Sequence, residues 1–136
     1  MVREIINDAA VLRRKSEKAT AEDAPVAVDL IDTLQAHLDE YPGLAACMIG
    51  EHKRILAIAK GSMVIAVFNP SILMQSGGYE AMEKCPLLGR EQSVKRFKTI
   101  RLLWYDAKMK EHVALLDGYQ AEVVQHLIDH CDGILI

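Results

Sequence analysis

Apolar positions recur at helical spacing in the segment TAEDAPVAVDLIDTLQAHLDEYPG, residues 20–43. Thr20 or Asp23 can cap a helix at this point, and Pro25 is tolerated in a first turn. The tripeptide YPG at 41–43 is a stop signal. The segment therefore predicts an amphipathic helix with one apolar face, formed by Val26, Leu30, Ile31, Leu34 and Leu38.

The middle of the chain predicts strands joined by hairpins. Lys60-Gly61-Ser62 is a hairpin signal between two apolar runs, and AKMK at 107–110 separates two more. The run after Pro70 continues as a further strand. The strand segments are RILAIA (54–59), MVIAVFNP (63–70), SILMQ (71–75), KTIRLLWYD (98–106) and EHVALL (111–116).

A second helix is expected near the end of the chain. Asp117 and Gln120 have the spacing of a capping box, and Gly133 can end the helix after Asp132. The element order is helix, mostly antiparallel strands, helix, which favours an α+β fold with the late helix packed into the sheets. With 136 residues, 51% of them hydrophobic, we expect one domain spanning residues 1–136.

Composition narrows the function classes. The net charge of −3 gives no electrostatic case for nucleic acid, and no apolar run is long enough to span a membrane. The first residues lack a signal-peptide core, so we expect a cytoplasmic protein. In that compartment Cys47, Cys85 and Cys131 would be thiols or metal ligands rather than disulfides.

The last helix carries two histidines, in VVQHLIDHCDG at 123–133. The spacing of His126 and His130 puts both imidazoles on one helix face, at the border of the apolar stripe. From the residues alone two interpretations stay open: an ordinary pair of histidines, or two metal ligands with Cys85 as the best third ligand by type. The polar side of the helix is expected to hold Glu122, Gln125, Asp129 and Asp132.

Three segments together resemble the motifs of peptide deformylases in order and spacing. PGLAACMIG (42–50), MEKCPLLG (82–89) and QHLIDH (125–130) correspond to G-x-G-x-A-A-x-Q, E-G-C-L-S and Q-H-E-x-D-H. The resemblance covers most of the chain, which looks like a short form. It implies a peptide-deformylase-like fold, with antiparallel β-sheets around a C-terminal metal-binding helix, plus an N-terminal helix.

The resemblance also implies a site. The family's metal, iron(II), zinc or another divalent ion such as nickel, would be held by Cys85, His126 and His130. Arg96 would pair with Asp129. The small residues of the first motif would let backbone approach a bound peptide, at Gly43, Leu44 and Ala45.

The sequence differs from the family motifs at the positions of the catalytic groups. Leu127 stands where the family has its general acid/base glutamate, and Met48 stands where a glutamine donates to the carbonyl oxygen. Pro86 lacks the backbone N–H that would serve the same oxygen, and Leu87 replaces a serine. Such losses together predict impaired or abolished catalysis.

Three hypotheses follow. The first is a deformylase-like metal-binding protein with little or no activity, and the second is a working deformylase whose base is Glu83, Glu122 or a metal-bound hydroxide alone. The third is a protein without metal that binds peptide N-termini. In each case the expected partner is a nascent or formylated peptide N-terminus, with no nucleic acid or membrane partner and a monomer or weak dimer.

Overall fold

The protein forms an α+β fold built on one five-stranded antiparallel sheet with the strand order β1-β2-β3-β4-β5. The structure is a computed structural model and describes residues 1–84 and 89–136. The strands are β1 (Gly43–Ala45), β2 (Ile55–Lys60), β3 (Met63–Lys84), β4 (Glu91–Tyr105) and β5 (Glu111–Asp117). The helices are α1 (Ala9–Leu12), α2 (Ala24–Gln35) and α3 (Gly118–Cys131), with 3-10 helices at Ala21–Asp23 and Ala46–Ile49.

Helix α2 begins where the capping signals place it. A capping box forms at Thr20, whose hydroxyl accepts from the N–H of Glu22, while Asp23 accepts from the N–H of Thr20. The helix ends at Gln35, earlier than the YPG signal suggests. Leu38 consequently lies beyond the helix and is 44% exposed, so it is not part of the buried face.

Strand β3 is much longer than the sequence predicts. The hairpin at Gly61 is present, with Lys60 paired to Met63. Pro70 does not end the strand, because register shifts between Phe68 and Ser71 accommodate it as an irregularity in the ladder. The predicted strand segments on either side of Pro70 are therefore one element, which also runs past 75 to Lys84.

Helix α3 corrects two details of the sequence analysis. Asp117 is the N-cap residue, but its side chain makes no capping hydrogen bond, so the capping box with Gln120 is wrong. Asp117 is also the last residue of β5, where its backbone pairs with Thr99. Gln125 was expected on the polar side but is buried, because its amide bonds both the N–H and the C=O of Phe97 on β4.

The core lies between the sheet and the two longer helices. Helix α2 packs against β2 and β3, and α3 packs against β4 and β1. Docking of α3 against two strands fixes the direction in which its polar residues point. Among residues 1–84 and 89–136, no helix is long and apolar enough to cross a membrane. Fully buried residues of the core include Leu30, Leu34, Leu44, Leu56, Phe68, Ile100 and Val124.

The turn between β4 and β5 is organised by one carboxylate. Asp106 accepts hydrogen bonds from the N–H groups of Lys108 and Lys110 and, at 2.8 Å, from Nε2 of His112. The His112 ring stacks on Trp104 with ring centroids 4.4 Å apart. The hydrogen bond from His112, followed by those from the backbone, lowers the pKa of Asp106 below its ordinary value of 3.8.

This turn should make a pH-dependent contribution to stability. Because the folded pKa of Asp106 is depressed, its contribution is present above pH 3.8 and is lost as the pH falls through the lower folded value. Asp106→Asn should therefore lower the free energy of unfolding at pH 6 and have less effect near pH 2.5, as measured by urea unfolding. Asp39→Asn, at an exposed position, is the control. A difference between wild type and Asp106→Asn that stays constant across this range would contradict the expectation.

Candidate active site

One face of α3 forms the floor of a cleft of about 300 Å³. The chain before and within β1 makes one wall, together with Met48, and the end of β3 makes the other. Residues three and four apart on α3 form a continuous stripe along the floor. The stripe consists of Tyr119, Glu122, Val123, His126, Leu127 and His130, and the walls of Glu40, Tyr41, Pro42, Gly43, Met48, Met82, Glu83 and Lys84.

The two histidines converge within the cleft. Nε2 of His126 lies 3.0 Å from Nε2 of His130, and His130 is fully buried. Two nitrogens that share a tetrahedral metal ion at ~2.0–2.1 Å would lie about 3.3 Å apart, so the pair is close to the spacing of two ligands. The Nδ1 atom of His130 is buried and has no hydrogen-bond partner among the described residues.

Glu83 orients the first histidine. Its Oε1 atom accepts a hydrogen bond of 2.7 Å from Nδ1 of His126, which leaves the Nε2 lone pair directed at His130. Burial alone would raise the pKa of Glu83, but hydrogen bonds from His126 and Arg96 outweigh it and lower that pKa to about 2. Glu83 is therefore a carboxylate whose position fixes the tautomer and the direction of His126.

Arg96 joins this carboxylate to the helix. Its Nε and Nη2 atoms bond both oxygens of Glu83 at 2.8 and 2.7 Å, and its Nη1 atom bonds Asp129 at 2.7 Å. The structure thus contains the Arg96–Asp129 ion pair that the resemblance implied. The sequence offers Glu83 only as a candidate base and does not predict that it orients His126. No local pattern in the sequence indicates this contact, because it depends on the pairing of β3 with β4, in which Arg96 lies opposite Tyr79 on the same strand as Glu83.

Leu127 and Met48 are both buried at the cleft. Leu127 is 4% exposed, and its Cδ1 atom is 2.7 Å from the position that a Cβ on Gly43 would occupy. The leucine therefore packs over the backbone of β1. Met48 accepts the N–H of Ala45 on its sulfur at 3.3 Å. Neither side chain can carry a proton or donate a hydrogen bond to a ligand.

The remaining positions of the first motif are less accessible. Leu44 and Ala45 are fully buried within β1, and of the three residues expected to contact a peptide only Gly43 lines the cleft.

The cysteine of the second motif is not among the described residues. Cys85, Pro86 and Leu87 lie outside them, so their place in the site rests on the resemblance. Among residues 1–84 and 89–136, no group of three or more metal-ligating side chains is arranged around one point. Cys47 and Cys131 are buried thiols, and burial raises the pKa of Cys131 to about 12.

Comparison with known proteins identifies the family. The family model described as polypeptide deformylase matches residues 2–136. The chain belongs to the peptide deformylase family. A peptide deformylase of Clostridium beijerinckii is 40% identical over 136 residues, which is the full length of both chains. Peptide deformylase 1 of Clostridium perfringens is 33% identical and aligns over 95% of this chain and 90% of its own.

Solved structures of deformylases share the fold. The crystal structure of the peptide deformylase from Thermus thermophilus matches with a TM-score of 0.85 at 33% identity, covering 99% of this chain and 83% of that one. A deformylase from Legionella pneumophila matches with a TM-score of 0.87 at 27% identity, with the same coverage. The peptide-deformylase-like α+β fold expected from the three motifs is therefore confirmed, with a single sheet in place of several.

Proposed function

We propose that the protein is a metal-dependent hydrolase that removes the N-formyl group from formylated peptide N-termini. Membership of the peptide deformylase family supports the reaction class. The observation that carries the proposal is the convergence of His126 and His130 at the base of a cleft, with Glu83 orienting His126. This arrangement fits a metal-ligand pair supported by a hydrogen-bonded carboxylate.

In this proposal His126, His130 and Cys85 hold the ion. An ion held by these residues would supply polarisation of the formyl carbonyl and a lowered pKa for bound water. Glu83 keeps Nε2 of His126 directed into the site, and Arg96 keeps Glu83 ionised and in place. Gly43 lines the cleft wall, and the space that a side chain there would need is filled by Leu127.

Glu83 is a poor candidate for the proton carrier. Both of its oxygens accept hydrogen bonds from Arg96, and one also accepts from His126. A carboxylate with these partners and a pKa of about 2 has little capacity to take a proton during a reaction. Two alternatives to Glu83 are left. Glu122, on the cleft floor, could act as the base, or a metal-bound hydroxide could act without a side-chain base.

A second candidate function is peptide binding with impaired or lost hydrolysis. The observation that favours it is the buried hydrocarbon of Leu127 beside the histidines, together with Met48, which offers no hydrogen-bond donor. The similarity to named deformylases over the full chain favours the active protein instead. Formate release decides between the two.

The test is formate release from formyl-Met-Ala-Ser by protein prepared anaerobically with iron(II) or nickel. The active protein should release formate in many turnovers, and the activity should disappear in a His130→Ala variant that remains folded. Turnover near the ~10 s⁻¹ typical of enzymes would show that the missing glutamate is not needed. Formate no higher than in the His130→Ala control would favour the second candidate.

Metal content provides an independent prediction. We expect close to one equivalent of a transition metal after anaerobic purification, and a large loss of metal in Cys85→Ser and His130→Ala, because each removes one proposed ligand. Cys47→Ser, which changes a buried thiol outside the proposed ligand set, is the matched control. Less than a tenth of an equivalent, unchanged by Cys85→Ser, would refute the proposed metal site.

A further inference from the structure

A sulfur-containing side chain that has no place in the proposed ligand set lines the same cleft as the two histidines. Met48 lies in the 3-10 helix Ala46–Ile49, lines the cleft together with His126 and His130, and is 2% exposed. The same 3-10 helix contacts α3 at the second histidine, because Sγ of Cys47 lies 3.6 Å from the backbone carbonyl oxygen of His130. The fold therefore holds a thioether next to the helix turn that carries His130.

The sulfur of Met48 is held in place by the protein. The backbone N–H of Ala45 donates to Sδ of Met48 at 3.3 Å, which ties the thioether to β1. A thioether sulfur carries two lone pairs, and a single donor uses only one of them. Because the side chain is already ordered and buried, binding an ion through its sulfur costs little additional side-chain entropy.

Thioether sulfur is a soft donor, which limits the ions that can use it. Thiolate and thioether ligands favour copper(I), whereas zinc sites are built from thiolate, imidazole and carboxylate groups. Imidazole is a ligand for both ions, so His126 and His130 suit copper as well as zinc. With the thiolate of Cys85 from the proposed ligand set, Met48 would complete the combination of two histidines, one cysteine and one methionine that is typical of copper sites.

Leu127 changes the cleft in the same direction. The family motif has a glutamate at this position, so the leucine removes an oxygen donor of the kind that hard divalent ions prefer. Leu127 is 4% exposed and lines the cleft, and a hydrocarbon there limits the access of water to the histidines. At Met48, likewise, sulfur stands in place of the oxygen and nitrogen of an amide. Both substitutions therefore favour a softer ion.

We propose that Met48 is a metal-selecting ligand residue, which gives the site at His126 and His130 a preference for copper(I) that leucine or glutamine at position 48 would not provide. The proposal rests on the histidine pair proposed above as metal ligands, but it does not depend on hydrolytic activity. Because one pair of histidines holds one ion at a time, bound copper(I) would exclude the divalent ion on which hydrolysis depends.

The experiment measures the affinity of the metal-free protein for copper(I) and for zinc, under anaerobic conditions, by competition with a chromophoric chelator for each ion. The proteins are wild type, Met48→Leu, Met48→Gln and His130→Ala. Met74→Leu, which replaces an exposed methionine outside the cleft, is the matched control. Leucine has nearly the volume of methionine without the sulfur, so the fold should tolerate it, and thermal unfolding of each metal-free variant verifies this.

Met48→Leu and Met48→Gln are expected to weaken copper(I) binding by roughly tenfold or more, since even indirect partners of a metal site contribute about that much to affinity. Zinc binding should change by less than about threefold in the same variants, because zinc does not use a thioether ligand. Met74→Leu should bind both ions as wild type does.

Equal copper(I) affinity in wild type and Met48→Leu, or equal losses for copper(I) and zinc, would overturn the proposal while leaving the histidine site intact. Failure of wild type to bind copper(I) while it binds zinc would have the same meaning. If wild type binds neither ion more tightly than His130→Ala does, both the histidine site and the proposal are refuted.

Discussion

Replacing Leu127 with glutamate is expected to raise formate release from formyl-Met-Ala-Ser by roughly 10²-fold or more, the usual worth of a general base. The reason is positional, since residue 127 lies on the cleft floor between His126 and His130 in sequence and lines the same space. A carboxylate there could exchange protons with water at the histidines. The rate should stay below that of a complete site, because Met48 still lacks a hydrogen-bond donor for the carbonyl oxygen.

The matched control is Leu127→Gln. Glutamine has nearly the same size as glutamate and is also polar, but its amide cannot act as a base. Both variants place a polar group at a position that is 4% exposed, so both should lose some stability, and circular dichroism verifies their folding. If formate release increases in Leu127→Glu and not in Leu127→Gln, the wild-type protein lacks a proton carrier. Equal rates for the two variants would mean that another group, such as Glu122, already performs this step.

Replacing Arg96 with methionine is expected to lower the free energy of unfolding by ~3–5 kcal/mol, the range for removing one partner of a buried ion pair. The side chain of Arg96 is 6% exposed and bonds two carboxylates, Glu83 and Asp129. Its removal leaves both carboxylates without their cation, and Glu83 is itself 5% exposed. Urea unfolding near neutral pH measures the effect.

Two further variants test whether the loss of stability comes from the buried ion pair of Arg96 and Glu83 or from any substitution on β4. Asp129→Ala should cost less than Arg96→Met, because Asp129 is 25% exposed and Arg96 keeps both bonds to Glu83. Arg101→Met, at an exposed position on the same strand, should change stability by about 0.5 kcal/mol or less. Similar losses for Arg96→Met and Arg101→Met would contradict a special role for the buried cluster.

Two parts of the fold could be predicted from the sequence, because short runs of neighbouring residues determine them. The hairpin at Gly61 and the start of α2 depend on turn and capping residues within a few positions. The full length of β3 could not be predicted, because Gly77 and Gly78 interrupt the apolar pattern and residues 76–84 are held in the strand by pairing with β4. Pro70 indicated the end of a strand, but the strand continues past it through a register shift in the pairing with β4.

In the candidate site, too, features set by spacing within one helix could be predicted, whereas features set by the packing of two elements could not. The spacing of His126 and His130 on one helix was sufficient to bring their rings together, and the motif resemblance placed Arg96 beside Asp129. Motif spacing alone did not indicate that Glu83 orients His126, because that contact depends on how α3 docks against the sheet. The same docking buries Gln125, which helical periodicity assigned to the polar side.

The close approach of Leu127 to Gly43 couples the sequence choices at two positions 84 residues apart. A methyl group on Gly43 would meet Cδ1 of Leu127 at 2.7 Å and the carbonyl oxygen of Ala57 at 3.0 Å. An alanine at 43 is therefore easier to accommodate after residue 127 has become smaller. In the wild-type background Gly43→Ala would displace the end of the Leu127 side chain, whereas after Leu127→Ala the new methyl group would meet chiefly the carbonyl oxygen of Ala57. The effect of a substitution at 43 therefore depends on which residue occupies 127.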